Sequence, residues 1–312
     1  MKIRTILAAA ALAVAGAGSA MAEWAPSGPI KLWIGFGAGG ETDTLGRLIA
    51  QKMGESTGWD FVVENKPGGG GIAMFTQLQA VPADGMTLGM GVTMPVLVNL
   101  TIRPDEIPFN LDSFDYLHTV ALAQLAIIAP ADAPFDDLAG LVEYSKEKGG
   151  ALVAFDAKPQ ELLMNFVNGQ SEAGLKPVST KSSAEALQQV LGGHVDAAFN
   201  AGAHIPQLEA GKVKMIASAN AVRHSYAPDT ATVQEQGFDI YVDPYFYIAA
   251  PAGLPAEAKT ALAEAIGQAL MAEDTKTAIM NAFHTEPSDK GPDETKKMLE
   301  DGLVNVGMLF GK

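Results

Sequence analysis

The sequence predicts an α/β fold in two lobes, each a mostly parallel sheet flanked by helices. Three observations carry this. Strand-like and helix-like runs alternate along most of the chain, the pattern of parallel strands joined by crossover helices. Two extended apolar runs, around Ala123–Pro130 and Tyr241–Pro251, read as strands that cross between lobes. A chain of 312 residues also has room for two domains of ordinary size. The crossings assign 23–123 plus 246–312 to a discontinuous first lobe and 124–245 to a second. That is the layout of a hinged, two-lobe binder with its site in the cleft.

The elements follow in order. "IKLWIGF" is a strand that runs through a glycine turn into a helix from Asp43, with Leu45, Leu48, Ile49 and Met53 near helical spacing. "DFVVEN" is a short strand, "GGGGIAMFTQLQAV" a glycine turn and helix, and "MTLGMGV" a further strand. "LAQLAIIAP" reads as one long buried strand, "LAGLVEYSKEKG" as a helix stopped at Gly149, and "ALVAF" as a strand. Next come helices in "PQELLMNFVNGQSEAG" and "AEALQQVLGG", a strand in "VDAAFN", a short helix in "IPQLEAG" and a strand in "VKMIASA". Two strong helices close the chain, "PAEAKTALAEAIGQALMAE" and "PDETKKMLEDGLVNVGMLF". No repeat and no low-complexity linker interrupts this order.

The first 22 residues have the three parts of a secretory signal peptide. "MKIR" is basic, "TILAAAALAVAGAG" is apolar, and "SAMA" ends in an A-x-A pattern before Glu23. The apolar run is short for a membrane span and no stop-transfer pattern follows it. The absence of Cys excludes lipid attachment through an N-terminal thiol. The expected product is an exported chain of about 290 residues, large enough for a core without disulfides. Losing Lys2 and Arg4 takes the formal charge from −15 to −17. So acidic a surface argues against nucleic acid and anionic lipid as partners. It leaves an anionic small ligand open, because amides and helix ends set the field inside a pocket.

Gly35, Gly37 and Gly40 fit the G-x-G-x-x-G spacing, and Glu64 closes the next strand about where a ribose-binding acid would stand. An exported chain has little access to nicotinamide cofactors, and no G-K-[ST] follows to make a P-loop, so no cofactor is expected. What remains is physical. Glycines at 37, 39 and 40 permit close backbone approach, Thr42 and Asp43 stand where an N-cap is expected, and free amides at the helix start face any docked anion. Asp43 reads as a cap, since its charge would repel an anion.

The blocks "PIKLWIGFGAGGETDTLGRLIAQKM", "FVVENKPGGGG", "PADGMTLGMG", "LQQVLGGHVDAAF", "HIPQLEAGKVKMIA" and "IAAPAGLP" occur in that order. Together they closely resemble the periplasmic substrate-binding proteins of tripartite tricarboxylate transporters, the Bug-type receptors, over nearly the whole exported chain. The resemblance implies the type II periplasmic binding protein fold, a small organic acid between the lobes, a two-component membrane permease as partner, and a monomer in the periplasm. It implies no enzymatic activity.

In the family, the loop after the first strand holds a ligand carboxylate through backbone amides and ordered waters. Here that loop is Phe36–Asp43, with Phe36, Gly37, Ala38, Gly39, Gly40, Thr42 and Asp43 as its candidate contacts. Lys181 stands at the family's second-lobe Lys, although Thr180 replaces the usual aromatic and Ser182 the usual Gly. The second-lobe loop departs from the family. Phe155, Asp156, Ala157, Lys158, Pro159 and Gln160 replace small hydroxyl and glycine residues. Phe155 and Pro159 would narrow the pocket or stack on a ring, and Lys158 would pair with a second carboxylate. Asp156 would instead accept from an amine. Thr93 offers a hydroxyl past a strand end. Asn200, Ala201 and Gly202 follow the strand after LGG-x-VD, where the family places a polar contact. Tyr245 and Phe246 replace the family's Trp-Phe pair beside the cleft. The aromatic residues, Tyr247 included, favour a flat acid, and the lysines favour one with two anionic ends.

His118, His194, His204, His224 and His284 are scattered, with no metal-binding spacing; His204 is expected on the surface or as a cap. No G-x-S-x-G elbow or other nucleophile–base pair supports an exported enzyme on this scaffold. A sensor that presents its loaded lobes to a membrane kinase would use the same site and stands as the alternative to transport.

Overall fold

The computed structural model describes residues 24–309; the signal-peptide reading of 1–22 lies outside them. The chain begins with β1 (Ile30–Ile34), α1 (Glu41–Thr57), β2 (Phe61–Asn65), α2 (Ile72–Leu78), β3 (Thr87–Val92), α3 (Thr93–Ile102) and β4 (Phe114–Leu122). It continues through β5 (Leu125–Pro130), α4 (Leu138–Lys148), β6 (Leu152–Phe155), α5 (Lys158–Ser171), β7 (Lys176–Ser179), α6 (Ser183–Leu191), β8 (Ala197–Ala201), α7 (Ile205–Glu209) and β9 (Val213–Ser218). It ends with β10 (Tyr245–Pro251), α8 (Ala256–Met271), α9 (Glu273–Phe283) and α10 (Pro292–Leu309).

These strands make two five-stranded sheets, β2-β1-β3-β10-β4 and β7-β6-β8-β5-β9. Alternate residues of each strand feed opposite faces. Ile30, Leu32 and Ile34 pack with Leu45, Ile49, Leu262 and Ile266, whereas Trp33 joins Phe75, Leu97 and Tyr247 on the other side. In the second sheet Leu125 and Ile127 pack with Leu141, Val153 and Phe199, and Ala126 and Ile128 with Ala154, Leu187 and Ala198.

Each sheet is evenly mixed where strand–helix alternation predicts mostly parallel pairing. β1 pairs parallel to β2 and β3, and β6 parallel to β7 and β8. The inserted strand, β10 in one sheet and β5 in the other, runs antiparallel to both neighbours. The reason is the entry point. A crossover helix returns the chain to the far end of a sheet, whereas β5 and β10 arrive directly from the other sheet. They enter at the end where the other strands finish, and so run against them.

Two further expectations change. "LAQLAIIAP" is not one strand: Leu122 ends β4, Ala123 and Gln124 change sheets, and β5 starts at Leu125. Helix α1 starts at Glu41 with Gly40 as its N-cap, so Thr42 and Asp43 lie inside the first turn. Asp43 instead organises the loop behind it, accepting from the Gly39 N–H at 2.9 Å, Arg47 Nε at 2.9 Å and Asn65 Nδ2 at 2.8 Å. Burial alone would raise its pKa, but the hydrogen bonds from Arg47, Gly39 and Asn65 outweigh burial and hold it below the usual carboxylate range.

The outgoing crossing at Ala123 lies beside the returning one at Pro244, and the Ala123 N–H donates to the Pro244 carbonyl at 2.8 Å. Asn220, 1 % exposed, ties both to the second sheet. Its Oδ1 accepts from the Leu125 N–H at 2.7 Å, and its Nδ2 contacts the Ala123 carbonyl at 3.2 Å and the Val242 carbonyl and Asp243 Oδ1 at 3.0 Å. Replacing Asn220 with Ala strands several buried polar groups, and is expected to destabilise the chain by about 2–4 kcal/mol in urea denaturation. A loss under about 1 kcal/mol would show that the crossings hold without it.

Candidate ligand-binding cleft

The parallel strands of both sheets finish at the boundary between them, and the helices that follow start there. This is the crevice at the carboxyl ends of strands where open α/β sheets hold ligands. Three of these helices enter it without a side-chain cap. The N-cap residues are Gly40 for α1, Val92 for α3 and Ala157 for α5, and none supplies a capping side chain. The first amides of a helix have no intrahelical acceptor, so these ends carry a positive potential. The free N–H groups are fullest at α1, since Pro95 and Pro159 remove one donor each from α3 and α5 and the Gln160 N–H donates to the Ala157 carbonyl. The fourth, α6, is capped by Ser182 Oγ, which accepts from the Glu185 N–H at 3.3 Å.

One cavity lies among these ends. Its first-sheet wall comprises Phe36, Gly40, Glu41, Thr42, Val92, Met94 and Pro95; its second-sheet wall comprises Asp156, Ala157, Pro159, Gln160, Ser182, Ser183 and Ala201. Ala123, Leu125, Val242, Pro244 and Phe246 close it at the crossings.

The two sides touch, so the cleft is closed. The Gly37 N–H donates to the Lys181 carbonyl at 3.0 Å. A Cβ on Gly37 would stand 3.2 Å from that oxygen and from Ser182 Cβ, too close without separating the walls. Gly202, at φ +76°, is fixed as glycine twice over, by its left-handed backbone and by Glu41 Cβ, 3.2 Å from where its own Cβ would be. In this loop the glycines therefore admit the opposite lobe as well as any ligand.

The expected site residues divide into groups. Phe36, Gly40, Thr42, Asp156, Ala157, Ala201 and Phe246 line the cavity. Phe155, Lys158 and Lys181 line an adjoining open groove together with Gly68 and Arg103, and Phe36, Asp156 and Ala157 border both spaces. Lys158 pairs with Glu161 at 2.8 Å, and the Lys181 side chain is exposed. Ala38 is exposed, while Gly39 and Gly202 border a third recess beside Phe283. Thr93 Oγ1 accepts from the Tyr245 N–H at 3.0 Å, and the Tyr245 ring lies outside the cavity, 5.9 Å from Lys290 Nζ. Asn200 is fully buried behind the wall, its Nδ2 donating to the Ser183 carbonyl at 2.6 Å.

His204, expected at the surface or as a cap, is half a correction. It stands at the N-cap position of α7 without a capping side chain, and it is fully buried, its ring bonding Asn200 Oδ1 at 3.1 Å and the Tyr226 hydroxyl at 2.9 Å. The same hydroxyl meets His224 Nδ1 at 2.7 Å, and His224 Nε2 meets Asn220 Oδ1 at 2.8 Å. Burial lowers the pKa of His204 to about 3 and that of His224 to about 4.

Two acids are among the lining residues. Asp156 keeps partial exposure, but its carboxyl is enclosed; burial pushes it up to about 6 against the hydrogen bond it accepts from Gln160. Glu41, absent from the sequence expectations, is 3 % exposed, and neither of its oxygens has a hydrogen-bond partner. Burial raises its pKa well above the ordinary value. An acid in the first turn of a helix is too common to single out, so nothing in "GGETD" marks it.

A two-lobe α/β chain whose strand ends and helix N-termini close on one internal cavity is a solute receptor of the periplasmic binding protein class. Residues 45–312 match the tripartite tricarboxylate transporter family receptor, and the chain belongs to that family. It is 27% identical over 317 residues to protein BugT of Bordetella pertussis, covering 97% of this chain and 95% of BugT. MatC from Rhodopseudomonas palustris with bound malate shares the fold at a TM-score of 0.82 and 23% identity, over 90% of this chain and 98% of MatC. A second R. palustris protein, solved with adipate, superposes at 0.81 and 24% identity, over 90% and 95% of the two chains.

The Glu41 geometry fixes a pH dependence. Below the ordinary carboxyl range Glu41 is protonated folded and unfolded, and the unliganded wild type and E41Q should differ little. As pH rises through that range the unfolded chain releases the proton while the buried carboxyl retains it, so the wild type loses stability relative to E41Q. Melting temperatures of both proteins between pH 4 and 8 should diverge steadily upward for E41Q, and parallel curves would refute the assignment.

Proposed function

We propose that this chain is a periplasmic receptor that closes over a small organic acid and passes it to a two-component membrane permease. In this reading the lobes divide near 123/124 and 245/246, residues 1–22 serve as the export signal, and the receptor works in the periplasm as a monomer. The observation that carries the reading is the convergence of three uncapped helix N-termini on one closed cavity. Free amides hold a carboxylate without a side-chain cation, which suits a protein of strongly negative net charge. The relatives solved with malate and adipate hold ligands of this chemistry. The contacts to the acid come from Gly40 and Thr42 on one side and Ala157, Ser182 and Ser183 on the other, with Phe36 and Phe246 against its apolar part. Lys158 and Lys181 lie outside this set, so a second anionic anchor is not part of the reading.

Transport and sensing share this site, and affinity capture of the membrane partner from the native envelope separates them: a permease supports the proposal, a kinase overturns it. Isothermal titration with a panel of aliphatic and aromatic mono-, di- and tricarboxylates tests the binding step, and no binding across the panel would sink it. K158A should leave the affinity of any bound acid within about twofold, because the lysine already has its own partner in Glu161. G37V should hold the lobes apart. If it cuts the closed population to about a tenth, affinity falls roughly tenfold and the radius of gyration rises in X-ray scattering. Unchanged values for both would separate closure from the Gly37–Lys181 contact.

A further inference from the structure

The cavity has a feature that a receptor for plain acids does not need. Glu41 is one of its lining residues, and both of its carboxyl oxygens are buried without a protein donor. The side chain is 3 % exposed, and its stem is held against Gly202. The lining contains two acids, Glu41 and Asp156, and no Lys, Arg or His. Asp156 is already engaged by Gln160 Nε2 at 2.7 Å. Arg47 of α1 holds Asp43 at 2.9 Å, Lys158 of α5 holds Glu161 at 2.8 Å, and Lys181 is exposed outside the lining. A buried carboxyl without a donor is costly in either protonation state, and more so when charged. The cavity is thus bipolar, with helix N-termini suited to an anion and one unmet acceptor pair suited to a cation.

We propose that the solute taken by this cleft is an ampholyte, a small carboxylate that also carries a protonated nitrogen, and that Glu41 is the residue that receives the nitrogen. The proposal rests on the receptor reading above and narrows it. The ligand carboxylate docks on the uncapped helix ends, and the ammonium donates to Glu41 Oε1 and Oε2. Binding supplies the countercharge that the protein withholds, so charge neutralisation and lobe closure occur together. A dicarboxylate would instead bring its second charge into a lining that offers it no Lys, Arg or His, so that charge would be buried without a counterion.

Titration calorimetry on the full exported chain, wild type and E41Q, tests this with carbon-matched pairs: glycine and acetate, β-alanine and propanoate, 4-aminobutanoate and butanoate, 5-aminopentanoate and pentanoate. For at least one pair the wild type should bind the aminated member about thirtyfold more tightly, the scale of a charge-assisted hydrogen bond. E41Q should bring that ratio within about threefold while leaving the plain acid's affinity within about threefold. A melting curve confirms that E41Q is folded. Plain acids bound as tightly as their aminated partners, or a preference that survives E41Q, would overturn the proposal while leaving the receptor reading intact. Failure of every acid, aminated or plain, overturns the receptor reading instead. Mass spectrometry of solute released from the purified protein is an independent check: a nitrogen-containing acid supports the proposal, and a nitrogen-free one overturns it.

Discussion

A single buried amide, that of Asn220, holds together the only geometry in which the cleft makes sense. Its oxygen takes the Leu125 N–H, while its nitrogen contacts Ala123, Val242 and Asp243. An amide suits this place because it combines two donors with an acceptor that has two lone pairs. With both crossings pinned, β10 and β5 enter their sheets beside each other, and the strand ends of the two lobes face across a few ångströms. The direct Gly37–Lys181 bond and the Gly202–Glu41 packing follow from that placement. Side chains at these glycines would act at the rim, far from Asn220, yet on the same degree of freedom.

The electrostatics of the cleft are set by backbone, not by net charge. A chain of formal charge −15 has no long-range attraction for an anion, so selectivity is written at short range in the amides of α1, α3 and α5. Within that positive potential the protein closes one helix end on itself, since Ser182 Oγ caps α6 by accepting from the Glu185 N–H. Of the two acids in the lining, Asp156 accepts from Gln160 Nε2, which leaves Glu41 as the unmatched group.

Much of this was legible in the chain. The alternation of strands and helices, the two crossing runs and the glycine loop follow from period and punctuation, which are local properties. What was hidden is non-local. Helix α3 reads "TMPVLVNLTI", nearly all apolar and with Pro95 in its first turn, so no polar face reveals its period. β7, "KPVS", is a short edge strand with little hydrophobic signal. Lys158 and Lys181 looked like anchors because a lysine in a loop is always eligible; their actual partners and exposure depend on the direction of α5 and the turn before α6. Glu41 and the buried imidazoles were invisible for the opposite reason, since their residue types usually seek water.

Those imidazoles connect the two halves of the argument. From Asn220 at the crossings the bonds run through His224, Tyr226 and His204 to Asn200, whose amide holds the Ser183 carbonyl at the cavity wall. Tyr226 has one hydroxyl proton for two imidazole acceptors. The titration of this network opposes that of the acids. The histidines are kept neutral, so their contribution is complete above the ordinary imidazole pKa of 6.5 and is lost as pH falls toward about 4 and 3. Asp156 is held protonated up to about 6, so its effect runs the other way, with stability declining as pH rises from 3.8 through that value. Over the interval between these limits the two buried sets offset each other. The unliganded protein carries a strained acid site without an overall collapse on either side, and the strain stays available for a ligand that can relieve it.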